Sequence, residues 1–573
     1  MRVRVLPRNV EVECSPGELL SDVIRRAVPE FPTPCGGRGF CGKCAVRVIE
    51  GELTPPTGNE LLHGLGDRVR LACQARVLSD LVVEIPSVGE FRALTSGVEP
   101  ELADFSPLVT PISVSAGRPT ISEPTPYDRA IVAATRAAGL KLRAARRLSS
   151  LRVAESSEVK VLLRGELVVD VLRPGDRVLG LAVDVGTTKI AAYLIDLEGG
   201  ESLAEGYVLN PQGKYGDDVI SRITHVMREP GRLAEMHEMT VEAIEGLAKR
   251  LCAEAGASVS DVHAACFVGN TVMLSILLGV DPTPIGRAPF APYLSESVEG
   301  YCDELGFRSV GDAWFYVPPS ITGFVGADAV ADILTAELLK PPRPYLLLDI
   351  GTNTEIALAT EEELAVASAP AGPALEGGNV SCGVKSLEGA VYRVEIRGGA
   401  VSYKAYGSEP LGLSGSGVIS AVAELLRHGL LDRSGRMAEG LKGRFEIVPG
   451  KVCLTQRDVR EVQKAKAAIS SGWRILLEMA GLEASDLERV FICGSFGSNI
   501  DPRDALTLGL IPPVPLARVA VLGNSAGTGA RLMLKSEEAR GRAEEIARAA
   551  KFVELASHPE FMRVWLSSLS FGS

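Results

Sequence analysis

Two stretches of this 573-residue chain repeat one another. LAVDVGTTKIAAYLID (Leu181–Asp196) and LLLDIGTNTEIALAT (Leu346–Thr360) each read as an apolar strand, an Asp-x-Gly-Thr turn and a second apolar strand. A duplicated unit of this kind predicts two lobes of similar construction, about 179–340 and 341–573, that meet near Pro341–Pro344. Strands alternate with helices and Gly-rich turns throughout both halves, so the expected class is α/β. The chain is longer than one hydrophobic core supports, and about two to four domains are expected. With 46% hydrophobic and 23% charged residues the composition is that of an ordinary globular protein.

The turns of the repeat carry chemistry. Gly186 permits a sharp turn at which the amides and hydroxyls of Thr187 and Thr188 cradle phosphate, and Asp184 at the strand end is placed to hold a hydrated Mg2+. Asp349, Gly351, Thr352, Asn353 and Thr354 are the second copy; a facing pair would clamp the β- and γ-phosphates of ATP, whereas two purely structural hairpins are the bland alternative. In FICGSFGSNID, Gly494, Ser495 and Gly497 follow a strand, and in VLGNSAGTGARLML, Gly523, Gly527 and Gly529 open a helix; small residues let the backbone approach a base and ribose. Glu355 reads either as the carboxylate that positions an attacking water or as a strand residue facing solvent. Lys189 and Lys385 are candidates for phosphate contact, although a solvated lysine is commoner. The set resembles the actin, sugar-kinase and heat-shock-chaperone superfamily. That resemblance implies catalytic Asp184 and Asp349 in two phosphate motifs and an adenosine motif at Gly494–Gly497.

A second constellation lies near the N-terminus. CGGRGFCGKC sets Cys35, Cys41 and Cys44 at C-x5-C-x2-C, and Cys73 follows in RLACQARV. Four thiolates suffice for a two-iron cluster, three from one loop and one from a distant segment, and the intervening glycines allow the loop to wrap it. Zinc is the alternative, though its sites usually pair cysteines as two short knuckles. Residues 1–90 alternate as strands and one helix, and with this loop they resemble the adrenodoxin and plant-type ferredoxins, an α+β β-grasp fold holding [2Fe-2S]. Residues 91–125, rich in Pro, Ser, Gly and Thr, read as a linker, and 126–178 as a small middle domain. The other seven of the eleven cysteines are scattered: Cys14 lies in a predicted strand and reads as a buried small hydrophobe, and Cys252, Cys266, Cys302, Cys382, Cys453 and Cys493 lie far apart in sequence, so no close pair is expected in the ATPase half.

The net charge of −12 disfavours nucleic acid or an anionic membrane as partner. The first residues alternate as a strand rather than as a signal peptide, and no long apolar run exists, so a cytoplasmic location is expected, with cysteines serving as ligands or buried thiols.

A ferredoxin joined to an actin-type ATPase resembles the RACo-type reductive activators of corrinoid proteins. NPQGKYGDDVISRI (Asn210–Ile223), FVGNTVM (Phe267–Met273), SAPAGPALEGGNVSCG (Ser368–Gly383), GLSGSGVI (Gly412–Ile419) and TQRDVREVQKAKAAI (Thr455–Ile469) match that family. The resemblance implies ATP-dependent reduction of cob(II)alamin to cob(I)alamin. The implied partners are a corrinoid protein or methyltransferase component and an electron donor, with a homodimer left open. Two rivals are a kinase-like ATPase with a ferredoxin sensor and an ATPase like the 2-hydroxyacyl-CoA dehydratase activators, which hold a [4Fe-4S] cluster between two subunits.

Overall fold

Alternating valines begin the first sheet. In the computed structural model Val3 and Val5 are buried while Arg2 and Arg4 point outward. The structure describes residues 1–573 except 30, 34, 40, 41, 63–67, 86–96, 116–118, 152–157, 230, 385–387, 408, 495–498 and 573. Strands β1 (Arg2–Leu6) and β2 (Val10–Glu13) precede helix α1 (Leu20–Ala27); β3 (Ala45–Glu50), α2 (Gly58–Leu62), β4 (Val69–Leu71) and β5 (Leu81–Glu84) follow. The order β2-β1-β5-β3-β4, with β1 parallel to β5, is a β-grasp sheet. Leu20, Val23 and Ile24 occupy one face of α1 at helical spacing and seal the sheet.

The segment expected to be a linker is more structured than its composition suggests. β6 (Thr110–Ser115) lies inside 91–125 and joins a four-stranded sheet. The rest of that unit is α3 (Tyr127–Thr135), β7 (Gly139–Leu140), α4 (Leu142–Ser150), β8 (Glu158–Arg164) and β9 (Leu167–Leu172), in the order β6-β8-β9-β7. Ahead of β6, Val98 N–H donates to Leu522 O at 2.8 Å and Leu108 N–H to Leu534 O at 2.9 Å. Residues 97–108 are therefore a strap on the C-terminal domain. Composition concealed this because the strap's partners, backbone groups of Leu522 and Leu534 and side chains of Arg531 and Lys535, are remote in sequence.

The first lobe contains β10 (Leu179–Val185), β11 (Lys189–Asp196), β12 (Ser202–Leu209), α5 (Val219–Arg228), α6 (Arg232–Glu254), β13 (Val262–Gly269), α7 (Thr271–Leu277), β14 (Val298–Tyr301), β15 (Trp314–Val317) and α8 (Ala327–Leu338). The second begins with β16 (Tyr345–Asp349), β17 (Thr354–Ala359) and β18 (Leu364–Ala369). It continues with β19 (Ala390–Arg397), β20 (Ala400–Ala405), β21 (Gly412–Leu413), α9 (Gly415–Arg427), the hairpin β22 (Arg444–Val448) and β23 (Val452–Thr455), and α10 (Gln456–Met479). β24 (Arg489–Cys493), α11 (Pro502–Leu508), β25 (Val519–Gly523), α12 (Ser525–Lys535), α13 (Glu537–Ala549), β26 (Ala550–Phe552) and α14 (Phe561–Ser567) complete it.

The two main sheets run β12-β11-β10-β13-β15-β14 and β26-β18-β17-β16-β24-β25. Each has three antiparallel strands followed by two parallel ones, β13 and β15 in the first and β24 and β25 in the second, so the sequence repeat is a repeat of topology. One apolar cluster unites the lobes: Ala182 and Tyr193 of the first, Val330 and Ile333 of α8, Leu347 and Phe491 of the second, and Leu534 of α12. Among the described residues no helix is long and apolar enough to cross a membrane.

Candidate functional site

The three described cysteines of the N-terminal set converge. Cys35, Cys44 and Cys73 are buried, and the Cys73 thiol is pushed far up by hydrogen bonding to Cys35 and Cys44 and by burial. Its contact in turn draws Cys44 down against the effect of burial. Cys41 lies outside the described residues. The loop is braced by Gln74 Nε2, which donates to Gly37 O at 2.6 Å, and by Arg38 Nε, which donates to Cys35 O at 2.9 Å. Such crowding of unbonded thiols, on a loop with left-handed glycines, fits four-sulfur ligation of an iron–sulfur cluster.

The hairpins of the repeat face one another across a cleft lined with acids. Asp184 is next to last in β10, and its Oδ2 accepts from Asn524 Nδ2 at 3.2 Å. Asp349 ends β16, and strand register decides its neighbours: Glu355 stands opposite on β17 and Cys493 opposite on β24. Directly paired residues share a sheet face, so Glu355 faces this acid group rather than open solvent. From α8, Asp328 and Asp332 join them at i, i+4. Burial, then repulsion from Asp184 and Glu376, lifts Asp349 to about 6, although a hydrogen bond with Asp332 and the charge of Lys189 oppose the rise. Burial and the charge of Asp349 lift Asp328 to about 8 and push Glu355 well up. Lys189 is buried opposite them and lowered to about 8 by desolvation, against the pull of Asp184, Glu205 and Asp349. Asp332, Asp349 and Cys493 bring one ligand atom each within 4.8 Å of the others. However, burial raises Asp332 and Cys493 strongly, and the Cys493 thiol is already engaged as a donor to Leu348 O at 3.4 Å.

The hairpin turns are tied from outside. Thr187 Oγ1 accepts from Asn270 Nδ2 at 2.9 Å, Thr187 O from Arg222, and Gly186 O from Asn210 Nδ2 at 2.8 Å. Thr188 O accepts from the Asn210 N–H at 3.0 Å. In the second turn Thr352 Oγ1 donates to Glu376 Oε1 at 2.7 Å, Thr352 O accepts from the Gly372 N–H at 2.9 Å, and buried Thr354 donates to Gly351 O at 3.4 Å; Asn353 is half-exposed between them. Gly494 has φ +90°, and a Cβ there would lie 2.1 Å from Asp349 Oδ1, so only glycine fits against this carboxylate. Ser495, Gly497 and Lys385 lie outside the described residues. Gly523 bridges Gly97 of the strap, and its neighbour Asn524 makes the contact with Asp184.

The two sites are adjacent. Lys43 Nζ, in the cysteine loop, donates to Val380 O of the second lobe at 2.8 Å, and Arg38 donates to Ser221 Oγ of the first at 3.0 Å. Gly36, at φ +59°, lies so close to Tyr215 that a Cβ would come within 2.3 Å of its carbonyl oxygen. A half-open pocket of about 470 Å³ is lined by Arg25 and Phe31 of the N-terminal domain and by Thr187, Thr188, Lys214 and Asp217.

Residues 3–78 match the 2Fe-2S iron-sulfur cluster binding domain, 179–341 the RACo middle region, and 343–573 the C-terminal domain of RACo, the ASKHA domain. The chain is 31% identical, over all of its own length and 99% of the relative's, to the corrinoid activation enzyme RamQ of Eubacterium limosum. It belongs to the RACo-type reductive activators. A Methanosarcina barkeri protein named as a [Co(II) methylated amine-specific corrinoid protein] reductase is 28% identical over 68% of this chain and 77% of its own. A solved reductive activator for corrinoid, iron-sulfur protein superposes with a TM-score of 0.74 at 29% identity, covering 100% of this chain and 98% of that one. The stretch that matches the RACo middle region, 179–341, is the first lobe.

Several cleft residues of this RACo-type chain escaped sequence reasoning. Asp328 and Asp332 had a usable signal, two acids one turn apart in the apolar run GADAVADIL. Asn524 and Glu376 had none, because their partners are remote in sequence.

Proposed function

We propose that this protein is an ATP-driven reductive activator that returns cob(II)alamin of a corrinoid methyl-transfer protein to cob(I)alamin by one-electron transfer. The observation that carries the reading is the seat of the cysteine loop on both lobes of the acid-lined cleft, through Lys43 on Val380 and Arg38 on Ser221. A change in lobe spacing on nucleotide binding alters that seat, and so couples the cleft to the redox domain. The names of the relatives support the same task.

Cys35, Cys41, Cys44 and Cys73 would hold the cluster, which when bound supplies a one-electron carrier of about −400 mV. Asp184 and Asp349 would hold a hydrated Mg2+, whose charge would offset the burial and the repulsion from Asp184 that lift Asp349. In this reading Gly186, Thr187, Thr188 and Gly351, Thr352, Asn353, Thr354 orient the ATP phosphates. Gly494, Ser495, Gly497 and Gly523 border the adenosine, and Glu355 orients the attacking water. The working units are 1–90, the 91–125 segment with its strap, 126–178, and the lobes 179–340 and 341–573. A separate donor recharges the N-terminal domain.

Each tenfold preference of the assembly for one redox state moves a one-electron couple by about 59 mV, so a shift of about 180 mV needs roughly a thousandfold differential. Lobe closure on the partner is the step that supplies it. The test is anaerobic spectroscopy of a cob(II)alamin-loaded corrinoid protein with this protein, a one-electron donor, and ATP present or omitted. Cob(I)alamin is expected only with ATP. Equal reduction without ATP, or sugar phosphorylation with no effect on the corrinoid, overturns the reading.

A further inference from the structure

The second lobe brings together two cysteines that the sequence holds far apart. Cys382 lies in the loop between β18 and β19, Cys453 in β23, and their sulfurs are 3.4 Å apart. The Cys453 N–H also points at Cys382 Sγ, at 3.3 Å. Cys382 is half-exposed and Cys453 buried, so a solute reaches Cys382 first. Both sides of the encounter are anchored. Cys382 O accepts from the Leu413 N–H at 2.7 Å. The N–H and hydroxyl of Ser381 donate to Asp458 Oδ1 at 2.8 and 2.9 Å. Asp458 is the capping-box acid of α10, whose N-cap Thr455 ends β23.

The loop that carries Cys382 also touches both functional sites. Its Glu376 accepts from Thr352 Oγ1 in the second hairpin turn at 2.7 Å, and its Val380 O accepts from Lys43 of the cysteine loop at 2.8 Å. A covalent tie at Cys382 would pin this loop to the β22–β23 hairpin and bias the position of Glu376.

We propose that Cys382 and Cys453 are a reversible dithiol–disulfide site, taking low-molecular-weight disulfides as oxidant, whose state is coupled to nucleotide binding in the cleft. The Cys382 thiolate attacks the disulfide RSSR, forming a mixed disulfide and expelling RS⁻, which takes up the Cys382 proton as RSH. Cys453 then gives up its proton and its sulfur displaces the second RS⁻, so two electrons pass from the cysteine pair to RSSR and two RSH leave. Forming the bond brings the two sulfurs from 3.4 Å to about 2.05 Å. The order of attack follows from burial, which with the hydrogen bond to Cys382 pushes the Cys453 thiol up to about 12 and leaves the first step to Cys382.

The coupling rests on nucleotide binding at the proposed cleft, and linkage makes it measurable from both ends. The full-length protein, isolated anaerobically with its cluster, is equilibrated in mixtures of reduced and oxidised glutathione with and without saturating ATP. Free thiols are then alkylated and the peptides mapped by mass spectrometry. A 382–453 cross-linked peptide that disappears with dithiothreitol is expected. Its thiol–disulfide constant should move about fivefold with ATP, which is about 21 mV for a two-electron couple. ATP affinity should differ by the same factor between reduced and oxidised protein, and Cys382→Ser should abolish both the cross-link and the difference. Cys453→Ala repeats the test from the buried side. The proposal is overturned if no 382–453 peptide forms at any glutathione ratio that leaves the cluster spectrum intact, or if the cross-link forms with the same constant and the same ATP affinity throughout. A reduced protein that binds no ATP at all sinks the functional reading and this coupling together, a result distinct from an affinity that oxidation leaves unchanged.

Discussion

Asn524 shows how much a single amide controls in the cleft. Its Nδ2 donates both to Asp184 Oδ2 and to the buried Tyr193 hydroxyl, at 3.2 and 3.0 Å, orienting the carboxylate proposed to hold Mg2+. Groups that orient a metal ligand typically matter by about 10–100-fold. Asn524→Ala should therefore raise the Mg2+ concentration for half-maximal ATP hydrolysis by about that factor while the visible spectrum of the N-terminal domain stays unchanged. Glu60 is the corresponding residue of that domain. Burial alone would raise its carboxyl, but bonds from Arg70 at 2.8 and 3.1 Å and from the Thr57 and Leu71 N–H groups outweigh burial and hold it below the ordinary range. A depressed folded value means the unfolded chain binds more protons, so this stabilisation is complete above the ordinary glutamate range and fades as pH falls through the folded value. Glu60→Gln should cost about 1.5–3 kcal/mol at neutral pH, and urea titrations of mutant and wild type should converge as the pH is lowered toward the folded value. A gap that persists in acid would show that shape, not charge, is what Glu60 supplies.

At the scale of elements the strap 97–108 is the least expected feature. It runs along the β25–α12 unit, where Glu99 pairs with Arg531 at 2.7 Å and also with Lys535; both cations are nearly buried. Removing the shared acid strands two cations, but Glu99 is itself about one-third exposed, so the cost is moderated by solvent. Glu99→Gln should lower stability by about 1–2 kcal/mol. Because α12 begins beside Asn524, the same variant should weaken ATP binding, which isothermal titration would read directly. Unchanged affinity would show that the strap only covers the helix.

Across the whole molecule, redox and nucleotide chemistry reside in separate domains that touch at the cleft mouth, and their losses should be separable. Asp349→Ala should abolish ATP-driven reduction of the corrinoid partner while leaving the cluster spectrum and its reduction by dithionite intact. Cys41→Ser should do the reverse, bleaching the cluster and stopping electron delivery while nucleotide binding survives. Full ATP-dependent activation by Asp349→Ala would remove the nucleotide cleft from the mechanism. The interface itself is addressed by Lys43→Glu, which places a carboxylate against Val380 O. Partner-stimulated ATP hydrolysis in that variant should lose its dependence on whether the cluster is oxidised or reduced.

The convergence of Cys35, Cys44 and Cys73, the two Asp-x-Gly-Thr hairpins and the two-lobed α/β plan were legible in sequence because each is a local pattern: a ligand spacing, a turn and an alternation of apolar strands. Glu355 was legible as a residue but not in its orientation, which follows from pairing opposite Asp349 across β16 and β17. The contacts of the 91–125 segment and the pairing of Cys382 with Cys453 were not legible, for one reason. Composition does not reveal that Gly97 and Val98 find backbone partners at Gly523 and Leu522, or that Cys382 meets Cys453 across 71 positions of chain. Local chemistry depends on residue type and spacing, which the chain carries in order. Encounters between remote segments depend on which surfaces the hydrophobic core brings together, and only the folded structure decides those.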